Sequence, residues 1–240
     1  DVMLGNPPWK EATVEALAFW ARHFPGLRGL PSKEQKRRME ALPGERPDLV
    51  PVYEAELGAA ARFRKTLTSG GFPGMGTGDP DVYKAFSWRF WALTAEDKGR
   101  FGVVLQRSAW AAKGSTEFRH EAFQNAAAID LSMLLNKAGW AFDQVEPRYT
   151  IALTALTRGR GNGASVTLEG PFDSRRAYDE RPDQPPHAFP GLDALTWNDT
   201  ATLPLLPNAE SFAVFAQMRK APRLDRNVPS EWRARPDTDL

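Results

Sequence analysis

The sequence has no cysteine among its 240 residues and only three histidines. Without a thiol there is no disulfide framework, no thiolate metal site and no sulfur nucleophile, which excludes covalent attack on a cytosine ring. His23, His120 and His187 are scattered, so neither a metal set nor a nucleophile–base pair is readable, and no metal is expected. Long apolar runs are missing as well. Nothing approaches the roughly 18 residues of a membrane helix, and no charged-then-apolar signal segment opens the chain, so the expectation is a cytoplasmic protein without a membrane partner. The glycine–lysine loop of phosphoryl transfer is absent too. Neither sign of charge is in excess, with 31 Lys and Arg against 30 Asp and Glu. That balance argues against a dedicated nucleic-acid coat, and leaves a local basic patch to be judged by position.

What is present is a 42% hydrophobic, 25% charged composition, that of a globular protein with enough chain to bury a core. Residues 1–5 read as the end of a buried, central parallel strand, a continuous apolar run closed by Gly5. A domain that opens on its own central strand is expected to be the middle of a longer protein. Residues 10–78 read as a helical insertion. Thr13 is placed to cap a helix through Ala21, and Ser32 with Gln35 has capping-box spacing before the basic turn of Lys33, Lys36, Arg37 and Arg38, a solvated helix face. Tyr53, Leu57, Ala60, Ala61 and Arg64 form one further stripe, which the glycine-rich stretch 70–78 ends. Asp79-Pro80 reads as a helix start, followed by Val82, Phe86, Phe90 and Leu93 at helical spacing. Residues 101–105 are an apolar strand, Ser115 caps a helix to about Gln124, and 129–135 and 149–155 alternate as strands do. The order strand, helix, strand, helix, strand, strand predicts an open α/β sheet whose last pair forms an antiparallel edge. From 159 onward, glycines and prolines predict extended or irregular structure with one helix near 208–220.

Asn6-Pro7-Pro8-Trp9 directly follows the first strand, where open α/β sheets bind ligands. Two prolines stiffen the turn, offer no backbone donor and leave their carbonyls as acceptors. The set suits the holding of a planar amine. An exocyclic amino group is a poor nucleophile because its lone pair is delocalised into the ring. Two acceptors, the Asn6 side-chain oxygen and the Pro7 carbonyl, would grip its hydrogens and aim the lone pair at an electrophile, while Trp9 stacks on the base.

At these residues the chain resembles the class I S-adenosylmethionine-dependent adenine-N6 DNA methyltransferases, whose signature is Asn or Asp, Pro, Pro and an aromatic. Gly78-Asp79 with Tyr83 and Phe86, the strand at 102–105 and the turn Lys113-Gly114-Ser115 look like the large methylases of restriction-modification and phage-exclusion systems. The resemblance covers residues 1–158. It implies a Rossmann-like methyltransferase sheet, here its second half, with the helical insertion 10–78; residues 159–240 would be a linker and the start of a target-recognition or accessory region. It implies catalytic roles for Asn6, Pro7, Pro8 and Trp9, and contact of Asn6 with the methionine end of S-adenosylmethionine. The partners it implies are double-stranded DNA, an upstream cofactor-binding half and a downstream recognition module of the same polypeptide. In that family a second aromatic packs on the flipped adenine. The matching stretch is Trp140-Ala141-Phe142-Asp143, with Phe142 carrying the role and Trp140 the substitute. Arg158, Arg160, Arg175 and Arg176 fall near the expected DNA-facing loops.

The family's aromatic-x-Gly-x-Gly cofactor motif should precede Asn6 in this ordering, so the remaining cofactor site is expected outside this chain, which alone should be inactive. Phe72-Pro73-Gly74-Met75-Gly76 matches that pattern by letter but follows a charged helical segment instead of a buried strand. Two other readings stand beside DNA adenine methylation: the same chemistry on a protein glutamine or an RNA base, and a noncatalytic DNA-binding or scaffold domain of the same fold. As plain structure, the Asn-Pro-Pro-Trp segment would be an ordinary turn, Phe142 a core side chain, and Trp88, Trp91 and Trp110 core or interface residues.

Overall fold

A computed structural model describes residues 2–10, 12–143, 145–181 and 187–223. In chain order its elements are β1 (Val2–Gly5), α1 (Ala16–His23), α2 (Ser32–Glu45), α3 (Val50–Thr68), α4 (Val82–Leu93), β2 (Arg100–Gln106), α5 (Ser108–Ala111), α6 (Thr116–Asn125), β3 (Ala126–Leu135), β4 (Thr150–Arg158), β5 (Ser165–Phe172), α7 (Arg175–Asp179), β6 (His187–Pro190), α8 (Gly191–Trp197) and α9 (Ala209–Met218). They divide into two units. A helical one comprises Pro7–Leu93 and Lys113–Phe118; a sheet unit holds the chain up to Asn6, Thr94–Ala112 and the chain from Arg119 on. No helix among the described residues is long and apolar enough to cross a membrane.

The sheet unit carries six strands in the order β1-β2-β4-β3-β5-β6. β1 pairs parallel with β2 and β3 parallel with β5, while β4 is antiparallel to both β2 and β3. The β3–β4 pair is therefore antiparallel but is no edge: β4 is inserted between β2 and β3, and β3 has β5 on its other side. Nor does the sheet stop at Arg158. The stretch expected to be a linker supplies β5 and β6, joined antiparallel.

Period-two alternation explains the core. Phe101, Leu156, Ile129 and Val166 lie opposite one another across β2, β4, β3 and β5, and Val103, Thr154, Leu131 and Leu168 make the next row. All eight are buried. Trp110, fully buried, donates from its indole Nε1 to Thr154 Oγ1 at 3.1 Å, so the one polar member of the second row is satisfied. The alternate residues differ. Asp130 bonds with Thr167 and Ser132 with Glu169, a polar ladder across β3 and β5. β1 departs from the expectation of a buried central strand: it is the terminal strand of the described sheet, with Val2 and Leu4 exposed.

Arg119 ties the segment after α8 to the turn around α5. The residue is fully buried. Its Nε and Nη2 donate to the Thr200 carbonyl at 3.0 and 2.6 Å, and Nη1 donates to the carbonyls of Ala109 and Ala112 at 3.0 and 2.9 Å. Leu203 N bonds to the Trp110 carbonyl beside it. At the far end, Asn208 caps α9 by accepting from Ser211 N at 2.8 Å.

In the helical unit, Phe19 and Trp20 of α1 pack with Leu27, Leu42 and Leu49 and with Tyr53 of α3. The expected caps differ. Glu15, not Thr13, precedes α1, and Ser32 begins α2 without a side-chain cap, because Gln35 instead donates to the carbonyls of Arg28 and Leu30. α4 starts at Val82, three residues after Asp79, whose carbonyl accepts from the Lys84 ammonium and from Asp81 N. Lys84, nearly buried, also pairs with the Asp81 carboxylate at 2.9 Å. Phe72-Pro73-Gly74-Met75-Gly76 follows helix α3, and it packs: Met75 is buried among Ala12, Leu67 and Ala85, and Gly74, at φ +76°, leaves no room for a Cβ beside Glu117.

Replacing Arg119 by Met removes the donor from three carbonyls, that of Ala109 buried and those of Ala112 and Thr200 partly buried. The expected loss is about 3 kcal/mol, read as a lower urea midpoint with an unchanged slope, and Arg119→Lys should recover part of it.

Candidate functional site

The strand directions bring the carboxyl ends of β1, β2, β3 and β5, with the beginning of β4, to one end of the sheet. The register fixes this: Gly5 is opposite Val103, Gln106 opposite Ile151, Leu135 opposite Thr150 and Leu134 opposite Phe172. Four segments leave from that end, namely Asn6, residues 106–108, the 136–149 loop and residues 173–176. In the order β1-β2-β4-β3, neighbouring strands lie ~4.8 Å apart, so two strands lie between β1 and the start of the 136–149 loop at β3, and one between β1 and its end at β4.

Asn6 is exposed and belongs to the sheet unit. Pro7 is buried, Pro8 exposed and Trp9 half-buried, and these three belong to the helical unit. The amide thus leaves the end of a parallel strand, and the buried proline that follows it opens the helical unit.

Asn136 organises the 136–149 loop. It is fully buried, and its Nδ2 donates to the carbonyls of Phe142 at 2.9 Å and Val145 at 3.1 Å. Its Oδ1 accepts from the backbone amides of Ala141 at 3.2 Å and Phe142 at 3.1 Å. Both backbone groups of Phe142 are therefore held by one side chain, and the half-buried ring projects from a fixed base. Trp140 differs: its indole N–H donates to the Leu135 carbonyl at 2.6 Å, which binds that ring to the end of β3. Sequence reasoning missed Asn136. An Asn directly after an alternating strand is the signal that pointed to it, because a short polar side chain there competes for loop amides.

The four arginines are not brought together. Arg158 ends β4 at the opposite end of the sheet, beside Ala126, and Arg160 follows it there, paired with Asp97 at 2.9 Å. Arg175 and Arg176 follow β5 at the same end as Asn6, on α7, each facing an acidic residue one turn on: Asp179 at 3.2 Å and Glu180 at 2.8 Å. Lys33, Lys36 and Arg37 are exposed on α2. Trp91 and Trp110 are core, and the Trp88 indole donates to the Pro73 carbonyl at 2.9 Å.

Chemically, this end offers an exposed amide on a rigid strand end and a clamped aromatic. Among the described residues no group of three or more His, Asp or Glu side chains is placed to hold a metal ion.

No protein-family model matches the chain, and no curated protein matches it. Among solved structures it is similar to the DrdV–DNA complex, with TM-score 0.37 and 16% identity over 70% of this chain and 14% of that one. It is similar to the ATP-dependent Type ISP restriction-modification enzyme LlaBIII bound to DNA, with TM-score 0.33 and 13% identity over 72% of this chain and 10% of that one. A third is the type IIG restriction endonuclease BpuSI, with TM-score 0.25 and 16% identity over 50% of this chain and 13% of that one. The chain thus spans between 10% and 14% of the length of these proteins.

Proposed function

We propose that the chain carries the target-base end of an S-adenosylmethionine-dependent adenine-N6 DNA methyltransferase from a restriction-modification or phage-exclusion system. The observation that carries the reading is the exit of Asn6-Pro7-Pro8-Trp9 from the carboxyl end of a parallel strand, at the sheet end that also holds the clamped Phe142. In this reading the Asn6 side-chain oxygen and the Pro7 carbonyl accept the two hydrogens of the amino group. That orients its lone pair and stabilises positive charge as it develops on nitrogen. Phe142, in the sheet unit with Asn6, takes a face of an adenine turned out of the duplex. No nucleophilic side chain is needed, in keeping with a sequence that has no cysteine.

S-adenosylmethionine would supply an electrophilic methyl group, and here the described residues fit only in part. Asn6 suits its methionine end. The glycine-rich letters at 72–76 offer no cradle for an adenosine, since Met75 fills the core beneath them and Gly74 is closed against Glu117. The remaining cofactor site is therefore assigned to an upstream half of the polypeptide. Terminal strand β1 has an edge of the kind that a further strand extends. A downstream module would read the DNA sequence. The helical insertion suits a large DNA enzyme better than the compact methylases of protein glutamine or RNA bases.

Calorimetry on the 240-residue chain alone should detect weak S-adenosylmethionine binding or none, and micromolar affinity would return the glycine-rich loop to consideration. In a polypeptide joining this chain to its cofactor-binding half, Asn6→Ala should lower adenine methylation by about 100-fold or more with DNA affinity unchanged. Methylated adenine is read by mass spectrometry of digested plasmid. Methylation of protein or RNA with none on DNA would reject the DNA reading, and failure of the joined polypeptide to bind cofactor would favour a noncatalytic scaffold. Asn136→Ala should slow the same reaction about tenfold through loss of the Phe142 clamp, again without altering DNA affinity.

A further inference from the structure

Between the Asn6 strand and the Phe142 loop, the sheet end carries a groove of about 380 Å³. Its polar walls are Gln106, Arg107 and Ser108 from the β2–α5 turn and Arg148, Tyr149 and Thr150 from the run into β4; Ala111, the last residue of α5, and Ala112 complete it. Two of these eight residues are guanidinium-bearing and none is acidic, in a chain whose charges otherwise balance. Three carry hydroxyls. The floor is fixed, because Arg107 N donates to the Thr150 carbonyl at 2.9 Å and the Arg107 carbonyl accepts from Trp110 N at 2.8 Å.

The two arginines differ usefully. Arg107 Nε is buried and has no hydrogen-bond partner among the described residues. Arg148 is 88% exposed and donates to the Glu146 carboxylate at 3.0 Å. So exposed an ion pair is weak and readily exchanged for another anion. Tyr149 is 45% exposed at the rim. The volume suits one nucleotide and is far too small for a duplex segment. Asn6 lies one strand over and about three residues, ~10 Å, back along the strand direction, so both places can hold one nucleic-acid strand.

We propose that this groove is a nucleotide subsite, in which Arg107 and Arg148 hold a backbone phosphodiester of DNA and Tyr149 packs against the adjoining base. It rests on the reading that the chain acts on DNA, and is independent of which base atom is modified. It also moves the backbone contact from Arg158 and Arg160, at the opposite end, to two residues that line one cavity.

The test is fluorescence anisotropy of the 240-residue chain with a labelled single-stranded oligothymidine, a probe without adenine, between about 50 and 200 mM salt. Arg148→Ala should lower the slope of log affinity against log salt by about one. Tyr149→Ala should weaken binding at least about fivefold with the slope unchanged. Glu146→Gln, which removes the competing carboxylate, should tighten binding. All three positions are exposed, so melting temperatures should stay within about 2 °C of the parent. Wild-type affinity in all three variants, or no binding by the parent chain, would overturn the subsite. So would displacement by thymidine monophosphate alone with oligonucleotide binding unchanged in the variants, the mark of a small-anion site. Because the probe has no adenine, a failed subsite appears as unaltered anisotropy, whereas a failed methylation reading appears only in the plasmid assay.

Discussion

The antiparallel insertion of β4 between β2 and β3 is the constraint on which the rest of the sheet end depends. β3 runs in the same direction as β1 and β2, so its carboxyl end emerges beside theirs. To enter β4, the chain must turn back at that end and pass inward between β2 and β3. The 136–149 loop therefore lies over the sheet end on the side of Asn6. Had β4 been an edge strand, the loop would have turned outward, away from β1, and Phe142 would have shared nothing with the first turn. The same crossing brings Arg148 and Tyr149 against the end of β2 and so makes the groove.

Such a loop has a backbone to satisfy without the help of a ladder, and one buried amide does much of this. An Asn side chain can donate two hydrogen bonds and has an oxygen with room for two more. Asn136 makes all four, spanning residues 141–145. Arg119 does similar work for the turn around α5, with four bonds to three carbonyls. Fully satisfied buried polar groups of this kind favour one loop conformation over the many that an apolar anchor would tolerate. A ring held on such a base keeps its position, which the stacking role proposed for Phe142 requires.

The local elements were legible where periodicity is local. Alternation in 129–135 and 149–155, the helix α3 and the helix near 208–220 all stand close to their expected places, although Leu57 of the expected α3 stripe is exposed. Strand order was not legible, since pairing is a long-range choice that no window of sequence contains. β5 was hidden for a local reason: glycines precede it and Gly170-Pro171 interrupts its last residues, which together read as loop. The caps were misread because Thr13, Ser32 and Asp79 offer the right side chains, yet α1 and α4 start two or three residues later and Gln35 in α2 reaches backwards. At the site, the Asn-Pro-Pro-Trp turn was readable as a contiguous motif. Asn136, Arg107 and Arg148 were not, because their meaning comes from what the crossing of β4 places around them.

Net charge was the weakest guide, for a reason the ion pairs make plain. Much of the basic side-chain charge is spent locally on acidic neighbours: Arg22 on Glu56, Arg46 on Asp48, Arg175 on Asp179 and Arg176 on Glu180. Exposed pairs of this sort add little to stability, and they cancel as seen from a distance longer than ~8 Å at physiological salt. What an approaching polyanion meets is then set by places where cations gather without carboxylates. A sum over the chain averages such places away. The end of β2 comes close to one: no acidic residue stands in the walls of its groove, and the carboxylate partner of Arg148, Glu146, lies outside them in an exposed, weak ion pair.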